Sequence, residues 1–209
     1  MTIRTFRSLL WLSATLAGFQ PVLAAERETV GATERVQAEA VAVHDDGERD
    51  LNAGSPVLFD DTLRTGDGAR LLARLEDGTA VTLGENASIH IDSFVYEPAA
   101  GKGRLALDVI EGSFLFIGGA VEGMSDSEVS IATPVATIGI RGTTVWGGPI
   151  DGGYGVQVFA GEVTVTTETG SVVLGAGDAT MIEGAVLQPP APWDDARTTR
   201  ATAAISFSE

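Results

Sequence analysis

Short alternations of apolar and polar residues, broken roughly every ten positions by glycine-containing turns, run along most of this chain. Leu105, Leu107 and Val109 alternate with Ala106 and Asp108, and Val163 and Val165 with Thr164 and Thr166. Tyr154, Val156 and Val158 alternate with Gly155 and Gln157, while Ile89 and Ile91 flank His90. Successive strand side chains point to opposite faces, so this pattern predicts half-buried strands. Turn signals fall between them at Asp46-Gly47, Asp67-Gly68, Asp77-Gly78, Glu111-Gly112, Gly147-Gly148 and Ala160-Gly161. The expected fold is therefore all-β. Spacing alone admits a β-sandwich as well as a β-roll or short solenoid, and no repeat is regular enough to single out a solenoid.

The N-terminus follows a different rule. Arg4 and Arg7 precede an apolar run from Leu9 to Phe19, then Pro21 and the small residues Ala24 and Ala25. This is the layout of a cleaved secretory signal peptide over 1–25. A spanning helix needs roughly 20 apolar residues, and this run is shorter, so no membrane span is expected after processing. The predicted location is periplasmic or secreted. Residues 26–35 show only a weak helical pattern and are read as disordered or weakly helical. The segment 188–209, rich in proline, alanine and threonine, is read as an extended or mobile tail with Trp193 as an anchor.

The formal charge is −16, from 13 basic and 29 acidic residues, and removing Arg4 and Arg7 deepens it to −18. Such a chain repels phosphate backbones and anionic lipid, which argues against nucleic-acid or membrane-surface binding. With no cysteine, no disulfide supports the fold, and stability must come from the strand core.

The stretch Ile131 to Trp146, IATPVATIGIRGTTVW, is the most distinctive. Pro134 ends one ladder because it cannot donate a backbone hydrogen bond. Gly142 relaxes the φ restriction where the chain turns away. Arg141 interrupts an apolar, β-branched run. Desolvating an arginine costs several kcal/mol unless it is paired, so a buried partner is expected, either Asp77, Glu111 or a backbone carbonyl.

This stretch resembles the TP…RGT signature of the FecR-like domain, a bacterial envelope module, with Thr133, Pro134, Arg141, Gly142 and Thr143 carrying the likeness. Three other segments match in order. Leu63 to Ile91 contains a threonine-glycine turn and the Asp77-Gly78-Thr79 turn between strands, Leu105 to Gly119 carries a glycine-aromatic strand pair, and Val156 to Ile182 supplies the closing strands. The resemblance spans 36–187. It implies a solenoid-like β-roll and an envelope location. Family members known as regulators relay a signal from an outer-membrane transporter to a cytoplasmic sigma factor. Here about eight residues precede the apolar run, and little chain follows the β domain. The expectation is thus an exported single-domain member without sigma-binding or transporter-contacting segments.

Catalytic chemistry finds little support. The two histidines, His44 and His90, carry no sign of converging, and no serine or cysteine sits in a nucleophile pattern. The acidic groups Asp45, Asp46, Glu48 and Asp50, Asp60 and Asp61, and Asp194 and Asp195 lack calcium-loop spacing and read as solvated turn charges. The glycine-rich run from Gly118 to Gly123 is not followed by a lysine or a helix start, so it is not a phosphate loop. No metal or cofactor is expected. The predicted function is a non-catalytic binding or signalling module that recognises an envelope protein or cell-wall component by a sheet edge or face, with Trp146 and Phe159 as apolar anchors. The alternatives are a carbohydrate-active enzyme using paired carboxylates and a secreted structural protein with cation-dependent assembly.

Overall fold

The computed structural model describes residues 27–208. The signal peptide read over 1–25 lies outside the described residues. The rest is dominated by strands that form one continuous, curled sheet with two arms.

The first arm runs β3 (Gly47–Asp50), β2 (Ala40–His44), β5 (Thr62–Thr65), β8 (Ser88–Glu97), β9 (Lys102–Glu111), β11 (Asp126–Ala132). The second runs β4 (Pro56–Leu58), β1 (Thr29–Gln37), β6 (Arg70–Leu75), β7 (Ala80–Leu83), β10 (Phe114–Ile117). Two long strands, β12 (Thr137–Ile150) and β13 (Gly153–Thr167), belong to both. The first half of β12 pairs with β11, its second half with β10, and β13 follows it along the other side. Beyond β13 lie β14 (Gly170–Gly175) against its C-terminal half, and β15 (Ala179–Glu183) with β16 (Val186–Leu187) against its N-terminal half. Apart from the parallel pair β9 and β11, every pairing named among the described residues is antiparallel. The all-β fold expected from the alternation is what the chain forms, and its single curled sheet agrees with the roll that the family resemblance implies over a two-sheet sandwich.

The inward faces of both arms meet in one core. Leu105, Leu107, Ile131 and Val163 from the first arm join Leu71, Phe114, Phe116 and Val145 from the second in one buried cluster. Each such side chain, taken fully out of water, contributes about 1.5–3 kcal/mol. The alternation in β9 is reproduced residue by residue: Leu105, Leu107 and Val109 are buried, and the residues between them face outward.

Both termini depart from the expectation. Residues 29–35, read as disordered or weakly helical, belong to strand β1, which is held between β4 and β6. Few large apolar residues mark it; Val30 and Thr33 point inward while Glu34 faces out to Arg74. The segment 188–209 contains a helix, α1 (Asp195–Ala203), instead of a mobile tail. Asp194 caps it, its carboxylate accepting from the Arg197 amide at 2.7 Å. Ala201 and Ile205 pack on Trp146, and Trp193 serves as the anchor.

Candidate functional site

The RGT segment is a bend in the sheet. Arg141 pairs with Glu162 and Thr144 with Ala160, so the register shifts across Gly142 and Thr143, and shifts again between Thr144 and Val145. Gly142 has φ +62° and Gly161, opposite it, +78°. A Cβ on Gly161 would lie 1.9 Å from the Gly142 carbonyl oxygen, so the two backbones touch where β12 and β13 pass from one arm to the other.

The Asp77-Gly78-Thr79 turn and the RGT bend are joined through one short 3₁₀ turn, Ala120–Gly123. Gly78 takes φ +87°. Asp77 is buried, and its carboxylate accepts from the Thr79 amide (3.0 Å), the Thr79 hydroxyl (2.8 Å) and the Val121 amide (3.2 Å). Glu122 reaches to the other side, where its Oε2 accepts from the Thr143 amide at 2.9 Å. The Thr143 hydroxyl accepts from the Arg141 amide and donates to the Glu162 carbonyl. Gly118 leaves room for this arrangement, since a Cβ there would sit 1.8 Å from Glu122 Oε1. Burial pushes the Glu122 carboxyl above the ordinary glutamate range; the Thr143 and Gly142 amides oppose that shift and the nearby Asp77 charge adds to it. A groove of about 400 Å³ opens over Gly118, Glu122, Gly142 and Thr143. It holds a perturbed carboxyl, but the neighbouring Asp77 has both oxygens committed to the turn. The pair holds the bend, Asp77 through the turn and Glu122 through the Thr143 amide.

Two sequence expectations, for Arg141 and Trp146, are corrected here, and the third candidate, Phe159, stays at the surface. Arg141 is exposed, and its guanidinium has no hydrogen-bond or ion-pair partner among the described residues. Its apolar neighbours in sequence lie on the opposite side or beyond the bulge, so they do not bury it. Trp146 is fully buried beneath Trp193, Ala201 and Ile205, and is no surface anchor. Phe159 is exposed at 37 %, but its position comes from the bulge: Val145 pairs with Val158 and Thr144 with Ala160, which leaves Phe159 without a cross-strand partner on β12.

The Thr133-Pro134 half of the motif lies elsewhere, at the turn between β11 and β12. Thr133 closes this turn, its hydroxyl donating to the Ala136 carbonyl at 2.8 Å. Pro134 and Val135 line a groove of about 560 Å³, whose other wall is the β13–β14 hairpin at Thr166, Thr167 and Glu168. From that hairpin β14 runs out as an edge that, among the described residues, pairs only with β13. The sheet's other edges are defended. β3 reads Gly-Glu-Arg-Asp, β4 has three residues beginning at Pro56, and β16 has two. β14, Gly-Ser-Val-Val-Leu-Gly, has neither charge nor proline, and Val173 is 54 % exposed.

Aspartates read as solvated turn charges and histidines read as not converging come together on the first arm. Asp61 is fully buried, and its carboxylate accepts from Arg27 at 2.7 Å, from Arg49, and from the Leu58 amide at 2.9 Å. Asp60, held at φ +66°, sits between the two histidines: His90 Nε2 is 2.8 Å from its Oδ1 and His44 Nε2 is 3.3 Å from its Oδ2. The expectation that the histidines do not converge is thus overturned. β5 brings them together by lying between β2 and β8, a pairing across some twenty-five residues that no local pattern signals.

Comparison with known proteins agrees with this architecture. Two solved structures of candidate anti-sigma factors from Parabacteroides distasonis ATCC 8503 share the fold, with TM-scores of 0.53 and 0.51 at 16 % and 17 % identity. In each case the match covers 66 % of this chain and 62 % of the other, so the likeness spans less than two thirds of those proteins. Among curated proteins none matches significantly. The family model described as FecR protein matches residues 61–164, which take in the Asp77-Gly78-Thr79 turn, Glu122, the TP turn and the RGT bend. The motifs that hold the bend and shape the groove are those of a FecR-family domain, and this chain carries one.

Proposed function

We propose that the chain is a non-catalytic binding and signalling module of the bacterial envelope, which recognises a protein partner by adding one of the partner's strands to β14. The observation that carries this is the contrast between edges: β14 is six residues of uncharged, proline-free strand with Val173 outward, whereas β3, β4 and β16 are charged or short. A bare edge of that kind offers unpaired amides and carbonyls to another chain. The groove between the TP turn and the β13–β14 hairpin lies at the start of this edge and would receive side chains flanking the added strand. The family match and the two structural neighbours support a regulatory rather than an enzymatic role.

The test pairs two variants, Val173→Lys and Ser171→Pro, with wild type. Envelope extracts are passed over each, and amide exchange of β14 is followed once a captured protein is purified. Retained melting temperature, lost capture in both variants and slowed exchange at β14 in the complex support strand addition. Capture unaffected by either variant, or turnover of a glycan or peptide substrate by the purified chain, overturns the reading.

A further inference from the structure

The outer face of the first arm gathers His44, Asp60, His90, Asp92 and Asp108 from β2, the β4–β5 turn, β8 and β9. Asp108 lies directly across from His90 in the β8–β9 ladder. Asp92 follows His90 by two residues, and the register shift between Ile91 and Ser93 falls at this point. One potential ligand atom from each of His90, Asp92 and Asp108 lies within 4.8 Å of the other two.

The hydrogen bonding fixes which ring nitrogen is available. His90 Nε2 is 2.8 Å from Asp60 Oδ1. An ionised carboxylate can only accept, so Nε2 carries the proton and donates it. In the neutral imidazole Nδ1 then keeps its lone pair, and Nδ1 is the atom that faces Asp108, 3.8 Å from its Oδ2. With the ring neutral, one imidazole nitrogen and two carboxylates converge as three lone-pair groups, an arrangement that a metal cation would hold together. A carboxylate behind a histidine, on the nitrogen away from the ligand, is the arrangement that orients metal-binding histidines and raises their basicity.

We propose that His90, Asp92 and Asp108 bind a divalent transition-metal ion of the zinc type, with Asp60 as the positioning residue for His90. An imidazole donor favours zinc and its neighbours over calcium and magnesium, which take oxygen ligands. Three protein ligands leave a coordination position for water or for a group from another molecule. Ligand–ligand separations around a zinc ion are shorter than 4.8 Å, so Asp92, which is exposed, closes in by side-chain rotation. Asp60 also meets His44 Nε2 at 3.3 Å, and His44 Nδ1 meets Asp46 at 2.9 Å, so the support extends through a second imidazole. The site is separate from β14 and from the TP groove, and it does not depend on the strand-addition reading.

The experiment is calorimetric titration of the purified full chain with zinc chloride, together with ¹⁵N imidazole spectra. The expected result is saturable binding of one zinc per chain, with His90 Nδ1 shifting on addition and Nε2 remaining protonated. His90→Asn is expected to abolish saturable binding, and Asp92→Asn, an exposed change that leaves the core untouched, to weaken it at least about tenfold. Asp60→Asn is expected to weaken it about tenfold and to alter the His90 tautomer, a signature that a purely structural role would not give. Melting curves without metal show that each variant is folded. The proposal is overturned if no saturable binding occurs up to millimolar zinc, or if folded Asp92→Asn and His90→Asn bind as wild type. It is equally overturned if calcium or magnesium displaces zinc at equal concentration. A fourth overturning result is an imidazole spectrum of His90 that reports only protonation of Nδ1, unchanged by zinc.

Discussion

Trp193 stands edge-on to Trp146, with ring centroids 5.8 Å apart and planes at 70°. The pair fastens α1 and its approach segment to the outer side of β12. Such aromatic contacts add about 0.5–1.5 kcal/mol beyond the area they bury. Trp193→Ala is expected to destabilise the protein by about 2 kcal/mol and to shift the emission of Trp146 to longer wavelength as water reaches it. Removing residues from Asp194 onward should give a similar red shift. Unchanged fluorescence in both would mean that α1 does not cover Trp146 in solution.

Asp61 and Arg141 should respond to mutation in opposite ways. Asp61 is buried between Arg27 and Arg49, so Asp61→Ala removes the carboxylate that both guanidinium groups share and is expected to cost about 3–5 kcal/mol. Arg141 is exposed and unpaired among the described residues, and Arg141→Ala should stay within about 0.5 kcal/mol of wild type. Chemical denaturation of the two variants checks the ranking. A reversed order would show that Arg141 has a partner in solution.

Gly142 and Gly161 separate conformational strain from steric overlap. A Cβ on Gly142 meets nothing closer than 4.0 Å, so Gly142→Ala should cost only the left-handed backbone conformation, about 1–2 kcal/mol. At Gly161 the same conformation is joined by a 1.9 Å overlap with the Gly142 carbonyl oxygen. Gly161→Ala is therefore expected to cost about 3 kcal/mol or more, or to prevent folding. Equal melting temperatures for the two variants would place the strands further apart at the bend.

Glu122 introduces a pH dependence of known sign. Its carboxyl is pushed above the ordinary glutamate range, chiefly by burial. The folded state therefore holds the proton more tightly than the unfolded chain, and stability falls as pH rises from the ordinary glutamate value through the folded one. Glu122→Gln keeps an oxygen for the Thr143 amide and removes the charge. The melting temperature of the variant minus that of wild type should increase from pH 4 to pH 7. A difference that is flat or falls over that range would mean the carboxylate is as well solvated in the folded state as in the unfolded one.

Much of the roll was legible in the sequence because strand phase is a local property. The alternation of Leu105, Leu107 and Val109, and of Val163 and Val165, names the inward residues correctly. The TP and RGT motifs were also visible, but as family marks and not as a turn and a bend. Arg141 was misplaced because apolar neighbours in sequence were taken for neighbours in space, although in a strand the adjacent residue points the other way. β1 was missed since Gly31, Ala32 and Glu34 have weak strand preference, and β4 and β6 impose the conformation on them. The start of α1 could have been found: Asp194 and Asp195 after Pro192 form a recognisable capping sequence. The histidine–aspartate cluster could not, because it depends on β5 lying between β2 and β8.

The hairpin of β12 and β13 closes both arms at once. Neither arm can therefore be completed until synthesis has passed residue 167, by which time all the strands from β1 to β11 have been made with their inward faces open. Contacts of such sequence separation slow folding, and a chain held in this state exposes bare strands to its neighbours. The same dependence ties the halves together afterwards. Prising one arm apart strips the shared hairpin from the other, so the domain is built to yield in one step, at a force or temperature set by the hairpin instead of by whichever arm is weaker.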